Sequence, residues 1–287
     1  MRRPYVVPLP GGRSLALGER TLVMGILNVT PDSFADGGLY ADTGRAIEAG
    51  LRMVAQGADL LDVGGESTRP GAVAVPVDEE QRRVLPVIAG LARQTSVPIS
   101  VDTYKAEVAA AAIDCGATIV NDISGLRFDA AMGAVAARHR VGLVLMHTRG
   151  RPANMYAQAD YTDVVTEVAR ELQDSIALAL EAGVRREAIV LDPGIGFAKR
   201  APHSLELLAR LDDPALLALD RPLLVGPSRK SFLRQAIGEL PPAERDWATA
   251  ASVAAAILGG AHILRVHRVE EMVQVARVTD EILKYRR

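Results

Sequence analysis

The chain is predicted to fold as an α/β protein, a (β/α)8 or TIM barrel, on three observations. Short apolar segments alternate with amphipathic helical patterns eight times along the sequence. Each apolar segment runs straight into a polar stretch, and successive stretches carry different chemical groups. No Ser/Gly/Pro linker or run of charge interrupts the alternation, so residues 1–287 are read as one domain. Eight strands each followed by a helix is the arithmetic of the closed barrel, which keeps its chemistry where strands give way to loops. A doubly wound open sheet shares the alternation, but polar motifs after all eight strands favour closure.

The first element is a short hairpin spanning Tyr5 to Leu17. Its turn signal is Gly11-Gly12, and the pair is placed to close the bottom of the barrel. The strands that follow are Thr21–Leu27, Asp59–Val63, Pro98–Val101, Thr118–Val120, Gly142–Met146, Ala188–Leu191, Leu223–Val225 and His262–Val266. Each is an apolar run able to bury both faces, as a parallel strand must. Helical patterns fill the intervals at Thr43–Gln56, Asp78–Arg93, Lys105–Ile113, Asp129–Arg138, Tyr161–Ala182 and His203–Arg210. The seventh interval holds Lys230–Gly238 and Trp247–Leu258, and the eighth Val269–Tyr285. Asp129 and Asp160 are expected to cap the helices after them, and Gly57, Gly116 and Gly183 to end helices.

Composition narrows the class of function. Hydrophobic residues make up 49% and charged residues 24%, as in an ordinary globular protein. The formal charge of -2 provides no broad basic field, so there is no electrostatic footprint for nucleic acid. The longest apolar run, Val253 to Leu264, contains Gly259, Gly260 and His262. It falls short of the roughly 20 residues needed to span a bilayer. A single cysteine, Cys115, and an amino terminus without an apolar signal core point to the cytoplasm.

The loops carry the chemistry. Gly25-Ile26-Leu27-Asn28-Val29-Thr30-Pro31-Asp32-Ser33-Phe34 leaves the first barrel strand for a polar, mobile loop ending in Asp36-Gly37-Gly38. After the second strand, Gly64-Gly65-Glu66-Ser67-Thr68-Arg69-Pro70-Gly71 opens an excursion able to grip an anion; otherwise it is a solvated surface loop. Asp102 and Asn121 emerge side by side from the third and fourth strands, ready to bond one planar ligand. Alternatively, Asp102 caps the next helix and Asn121 stabilises a turn.

Asp192 precedes Pro193, which holds its backbone extended and disfavours capping. Phe197, one of four Phe, lies in a glycine-flanked loop and suits a pocket mouth. Arg229 and Lys230 stand at a helix start, against the dipole, so a ligand oxygen is the expected reason for them. Arg265 and His267 alternate onto one face of the last strand and read as a phosphate clamp. His139, His147, His203 and His262 are expected to be structural, since no zinc spacing accompanies them. Any metal should be a hard ion held by oxygens and substrate phosphate, with Mg2+ the first choice.

In these segments the chain resembles the dihydropteroate synthase family of folate biosynthesis, the target of sulfonamide drugs. The matching stretches are Asn28–Gly38, Gly64–Gly71, Ser100–Thr103, Asn121–Gly125, Asp192–Lys199, Gly226–Phe232 and Arg265–His267, in order and each after a predicted strand. The resemblance implies condensation of a dihydropterin methyl diphosphate with 4-aminobenzoate, giving dihydropteroate and diphosphate. It assigns Asn28 to Mg2+ and the diphosphate, Arg265 and His267 to the same anion, and Thr68 and Arg69 to a loop closing on substrates. It puts Asp102, Asn121, Asp192 and Lys230 around the pterin, and Phe197 and Ser231 near 4-aminobenzoate. Asp102, Lys230, Arg265 and His267 are the implied catalytic set, and a homodimer is implied too.

The sequence departs from the family pattern at Arg268, where Asp is usual, and at Ala198, Ala35 and Ala248. A corrinoid-dependent methyltransferase would need the pterin pocket without the diphosphate clamp. A Schiff-base aldolase would need Lys230 desolvated, whereas Arg229 and two serines surround it in sequence. A pterin-binding barrel without turnover shares every ligand position with the enzyme.

Overall fold

The computed structural model describes residues 2–30, 38–69 and 71–285. The chain opens with β1 (Tyr5–Pro8) and β2 (Ser14–Leu17), an antiparallel pair that sets Tyr5 opposite Leu17 and Val7 opposite Leu15. Alternation buries Val7, Leu15 and Leu17, while Val6 is exposed. The buried face joins Leu22, Met24, Leu60, Ile119, Val144, Val190, Leu224 and Ile263, most of them near the N-terminal ends of the barrel strands. The hairpin therefore plugs the bottom of the barrel, as its sequence suggests.

Eight parallel strands follow: β3 (Leu22–Asn28), β4 (Leu60–Gly64), β5 (Ile99–Asp102), β6 (Ile119–Asp122), β7 (Gly142–Met146), β8 (Ile189–Asp192), β9 (Leu224–Val225) and β10 (Ile263–Val266). Their order is β8-β7-β6-β5-β4-β3-β10-β9. A parallel bridge between Leu191 and Leu223, with Leu191 N–H donating to Pro222 O at 2.9 Å, joins the two ends. The sheet is a closed cylinder. Residues pointing outward from it, such as Leu61, Val63, Val101, Leu143, Leu191 and Leu264, share one core with the surrounding helices. Burial of each such side chain contributes about 1.5–3 kcal/mol.

The helical layer comprises α1 (Gly38–Ala55), α2 (Val77–Ala92), α3 (Ala106–Asp114), α4 (Met132–His139), α5 (Val164–Glu181), α6 (Ala201–Ala209), α7 (Pro214–Leu217), α8 (Arg234–Ile237), α9 (Asp246–Leu258) and α10 (Val269–Leu283). Gly57, Gly116 and Gly183 stand just past helix ends, as expected, each donating N–H to the carbonyl three residues back. Two local expectations fail. The predicted helix Lys230–Gly238 is a 3-10 turn over Ser231–Leu233 followed by the single short α8. The cap of α5 is Asp163, which accepts from Val165 and Thr166 N–H; Asp160 lies too far upstream. Asp129 serves two helix starts: its Oδ1 accepts Ala131 N–H at 3.0 Å in the turn that enters α4, as expected, and its Oδ2 accepts Ala106 N–H at 2.8 Å at the start of α3.

Candidate active site

Period-two alternation decides what the barrel interior contains. The interior positions of β4 are Leu60, Asp62 and Gly64, those of β5 are Ser100 and Asp102, and those of β6 are Ile119 and Asn121. In β8 they are Val190 and Asp192, and in β10 Ile263, Arg265 and, one residue beyond, His267. Apolar residues thus fill the lower interior and polar ones the upper, which faces the loops. Register aligns Asn28 with Gly64, Gly64 with Asp102 and Asp102 with Asn121. A Cβ on Gly64 would lie 3.4 Å from the Asp102 side chain, so glycine leaves that carboxylate its room.

A charged cluster occupies the centre of this mouth. Arg265 Nε donates to Asp62 Oδ2 and its Nη2 to Asp102 Oδ2, both at 2.6 Å. Asn121 Nδ2 donates to the same Asp62 oxygen at 3.0 Å. Asp62 Oδ1, Asp102 Oδ1 and Ser100 Oγ are buried with no hydrogen-bond partner among the described residues. Such atoms await a donor, because an unpaired buried acceptor costs about 1–3 kcal/mol. Burial pushes the Asp102 carboxyl up to about 7, against the pull of Arg265. Neither alternative assigned to the pair holds: Asp102 caps no helix, and Asn121 spends its amide on Asp62.

A second group stands across the mouth on the loops after β8 and β9. Asp192 is buried, and its Oδ1 accepts Gly194 N–H at 2.7 Å. Burial raises its carboxyl above the ordinary range, with Lys230 the main opposing charge. Lys230 Nζ donates to Ile195 O at 2.5 Å and lies 4.4 Å from the centroid of the Phe197 ring. Burial lowers its ammonium to about 8, while Asp192 works to keep it charged. Phe197 is half-buried against Tyr104, Ile123 and Met146, as befits a pocket wall.

The rim is cationic. His267 main-chain N–H donates to Ser228 Oγ at 3.3 Å, which leaves the hydroxyl proton to reach His267 Nδ1 at 2.9 Å. The His267 Nε2 then carries the ring proton toward the mouth. Burial, with Arg265, Arg229 and Arg69 nearby, holds His267 down at about 3, so the ring is neutral before any anion arrives. Arg69 is exposed and Thr68 half-buried on the loop after β4. Ser231 lies 3.5 Å from the Tyr156 hydroxyl beside a cleft of about 310 Å³ that Arg200, Phe232 and Arg234 also line. Asn28, partly exposed at the end of β3, can offer a hard amide oxygen to a cation. Among the described residues no three carboxylate, His or Cys side chains gather around a metal position. Asp32, Ser33, Phe34, Ala35 and Asp36 of the first loop, and Pro70 of the second, lie outside the described residues.

A carboxylate and an ammonium facing a guanidinium–carboxylate cluster, beneath a cationic rim, suit a flat polar heterocycle joined to an anion. Residues 24–267 match the family model described as pterin binding enzyme. The chain belongs to the pterin-binding enzymes. Its similarity to curated members reaches 48% identity with the dihydropteroate synthase of Synechocystis sp., covering 96% of this chain and 95% of that one. The dihydropteroate synthase of Xanthomonas albilineans, solved with 4-aminobenzoic acid, is 44% identical and superimposes with a TM-score of 0.88, covering 96% of this chain and 98% of that one. The same enzyme in complex with 7,8-dihydropteroate gives 41% identity and a TM-score of 0.84, covering 95% and 97%.

Within this pterin-binding barrel the geometry brings together Asp102, Asn121, Asp192, Phe197, Lys230, Arg265 and His267. Thr68, Arg69, Ser231 and Asn28 stand around them at the ends of their own elements. One expectation is corrected. Arg229 needs no ligand oxygen, because it forms a bidentate pair with Asp246 at 2.7 and 2.8 Å. His147 is a buried histidine with protein partners, as expected, lying between Lys199 Nζ and Glu171. Sequence reading gave no role to Asp62, Tyr156 or Lys199. Strand parity would have found Asp62, since it shares the inward phase of Leu60. The Arg268 departure is harmless to His267, whose ring Ser228 orients, while Arg268 pairs outward with Glu271 at 2.8 Å.

Proposed function

We propose that this chain is a dihydropteroate synthase, joining (7,8-dihydropterin-6-yl)methyl diphosphate to 4-aminobenzoate with release of diphosphate. The observation that carries this reading is the placing of Asp192 and Lys230, each in the other's field, in the same barrel mouth as Arg265 and His267. A pterin's amino-pyrimidinone edge presents adjacent N–H donors beside a carbonyl. Asp192 would accept the donors and Lys230 would donate to the oxygen, each charge-assisted bond contributing about 1.5–3 kcal/mol. The unpartnered oxygens of Asp62 and Asp102 offer further acceptors to ring N–H groups.

Chemistry follows from where the charges stand. The methylene C–O bond breaks with its electron pair leaving on diphosphate, and the electron-rich pterin carries the resulting cation. Asp102 and Asp192 stabilise that cation; Arg265 and His267 offset charge on the departing anion, with Arg69 and Thr68 closing over it. Asn28 would hold Mg2+ together with the diphosphate, and the bound ion would supply further charge neutralisation on the leaving group. The amine nitrogen of 4-aminobenzoate then forms the new C–N bond and loses a proton to solvent or diphosphate. An arylamine is neutral at pH 7, so no strong base is required. Phe197 would wall the aryl ring and Ser231 would bond its carboxylate.

Purified protein mixed with both substrates and Mg2+ should release diphosphate only when both are present, and chelation should suppress the release. Binding of the pterin without release would instead support a barrel lacking turnover. Asp192→Asn should lose pterin binding, and Arg265→Ala should chiefly weaken recognition of the diphosphate.

We infer further that the working form is a homodimer of one-domain subunits in the cytoplasm. Trp247 is 89% exposed on α9, and Val278 and Ile282 are exposed on the adjoining α10, with Tyr285 exposed just beyond its end. A second copy is the occupant that the inferred homodimer supplies for this face. Among the described residues no helix is long and apolar enough to cross a membrane. Sedimentation of the wild type as a dimer and of Trp247→Glu as a monomer would support the assignment; a monomeric wild type would end it.

A further inference from the structure

The loop between β8 and α6 carries two groups of the proposed site: Phe197, and the Ile195 carbonyl that receives Lys230. Lys199 ties this loop down. It is fully buried, only 1% exposed, which is unusual for a lysine. Its Nζ bonds Gly194 O and Phe197 O at 3.1 Å each, and His147 Nδ1 at 2.8 Å. An ammonium has three N–H groups, and here three acceptors meet them.

Proton placement is consistent along the whole chain of groups. His147 Nε2 lies 3.0 Å from Glu171 Oε2, and Glu171 also receives Arg149 Nε. A carboxylate there requires a proton on Nε2, so Nδ1 presents its lone pair to Lys199. His147 is held near 3, chiefly by burial and then by Lys199, and is therefore neutral. Burial pulls Lys199 well below the ordinary lysine range, and Asp192 is the largest charge opposing that fall. The rest of the loop is fixed as well: His147 N–H donates to Asp192 O at 2.9 Å, Gly196 N–H to Ser204 Oγ at 3.2 Å, and the Tyr161 hydroxyl to Ala198 O at 2.9 Å.

We propose that Lys199 is a positioning residue for substrate binding: by fixing the Gly194 and Phe197 carbonyls, it sets where the Phe197 ring and the Lys230 ammonium stand. The inference rests on the synthase reading, so diphosphate release by the wild type is established first. If the wild type fails to turn over, the functional reading fails and not this one.

Lys199→Met keeps the apolar stem and removes the three donors. Its KM for 4-aminobenzoate should rise about tenfold or more, with kcat changed less than about threefold. A KM equal to that of the wild type, whatever the loss of thermal stability, would show a purely structural role and overturn the proposal. Combining Lys199→Met with Phe197→Ala should give the 4-aminobenzoate KM of Phe197→Ala alone, within about twofold, because both act at one point. Effects that multiply would overturn it. Should Lys199→Met not fold, His147→Phe removes one acceptor and retains the ring shape. The 4-aminobenzoate KM should then rise about threefold, and an unmoved value would defeat the assignment.

Discussion

Arg265 stands between two carboxylates, its Nε 2.6 Å from Asp62 Oδ2 and its Nη2 2.6 Å from Asp102 Oδ2. Asp62 is wholly buried and accepts from Asn121 with the same oxygen, so one side chain orients a group of the proposed pterin pocket and one of the proposed diphosphate site. Asp62→Ala leaves a buried guanidinium short of one partner and should cost about 3–5 kcal/mol of stability. Asp62→Asn keeps an oxygen for both donors and should cost less. Urea unfolding of the two variants separates the contributions. Equal losses would mean that charge alone, and not the shared acceptor, holds Arg265 in place.

Lys230 gives the site an alkaline limit. Its ammonium titrates at about 8, against an ordinary value of 10.5, and only the charged form sets a cation near Asp192 and offers a charge-assisted bond to a substrate carbonyl. The kcat/KM for the pterin substrate should therefore fall as pH rises through 8, and Lys230→Gln should be low and flat over that range. A falling limb that survives in Lys230→Gln would belong to another group. The effect on stability has the opposite sign. Between about 8 and 10.5 the unfolded chain binds more protons at this residue than the native one, so this group's contribution to stability grows as pH rises.

Gly194 is fixed by two constraints at once. Its φ of +70° lies in the left-handed region, and a Cβ there would sit 2.0 Å from the His147 carbonyl oxygen. Backbone cannot step aside as a flexible side chain can. Gly194→Ala should lose more than about 3 kcal/mol in chemical unfolding, at the severe end for a single methyl group. A loss below about 1 kcal/mol would mean that the loop after β8 has a second conformation of similar energy.

The barrel was legible because its signal is periodic: each apolar run in the sequence became a strand, and the hairpin turned at Gly11-Gly12 as expected. Five of the eight barrel-strand ends were read one or two residues short. Asn28, Asp102, Asn121 and Asp192 keep pairing in the ladder after hydrophobicity has stopped, and these are the residues that matter to the site. Residues with distinctive chemistry at or beyond the strand ends, such as Arg265 and Lys230, announced themselves. Lys199 did not, because a lysine after a glycine-rich loop looks solvated until three acceptors are seen around it. His147 was read as structural, but its partners lie 24 and 52 residues away in the chain, where only the fold brings them to it.

Ala198 is where the local backbone and the resemblance disagree, and the magnitudes resolve it. Its φ is +46°, a region that costs a residue with a Cβ about 1–2 kcal/mol relative to glycine. Against that penalty, glycine would lose about 0.5–1 kcal/mol to backbone entropy and about 0.8 kcal/mol from a fully buried methyl. The terms nearly cancel, so alanine is tolerated where the family usually has glycine. Ala198→Gly should remain within about 1 kcal/mol of the wild type in urea unfolding, with its 4-aminobenzoate KM unchanged. Ala198→Val adds β-branching to the same left-handed backbone in a site with no free volume and should lose more than about 2 kcal/mol. Valine tolerated as readily as glycine would contradict the left-handed conformation assigned to residue 198.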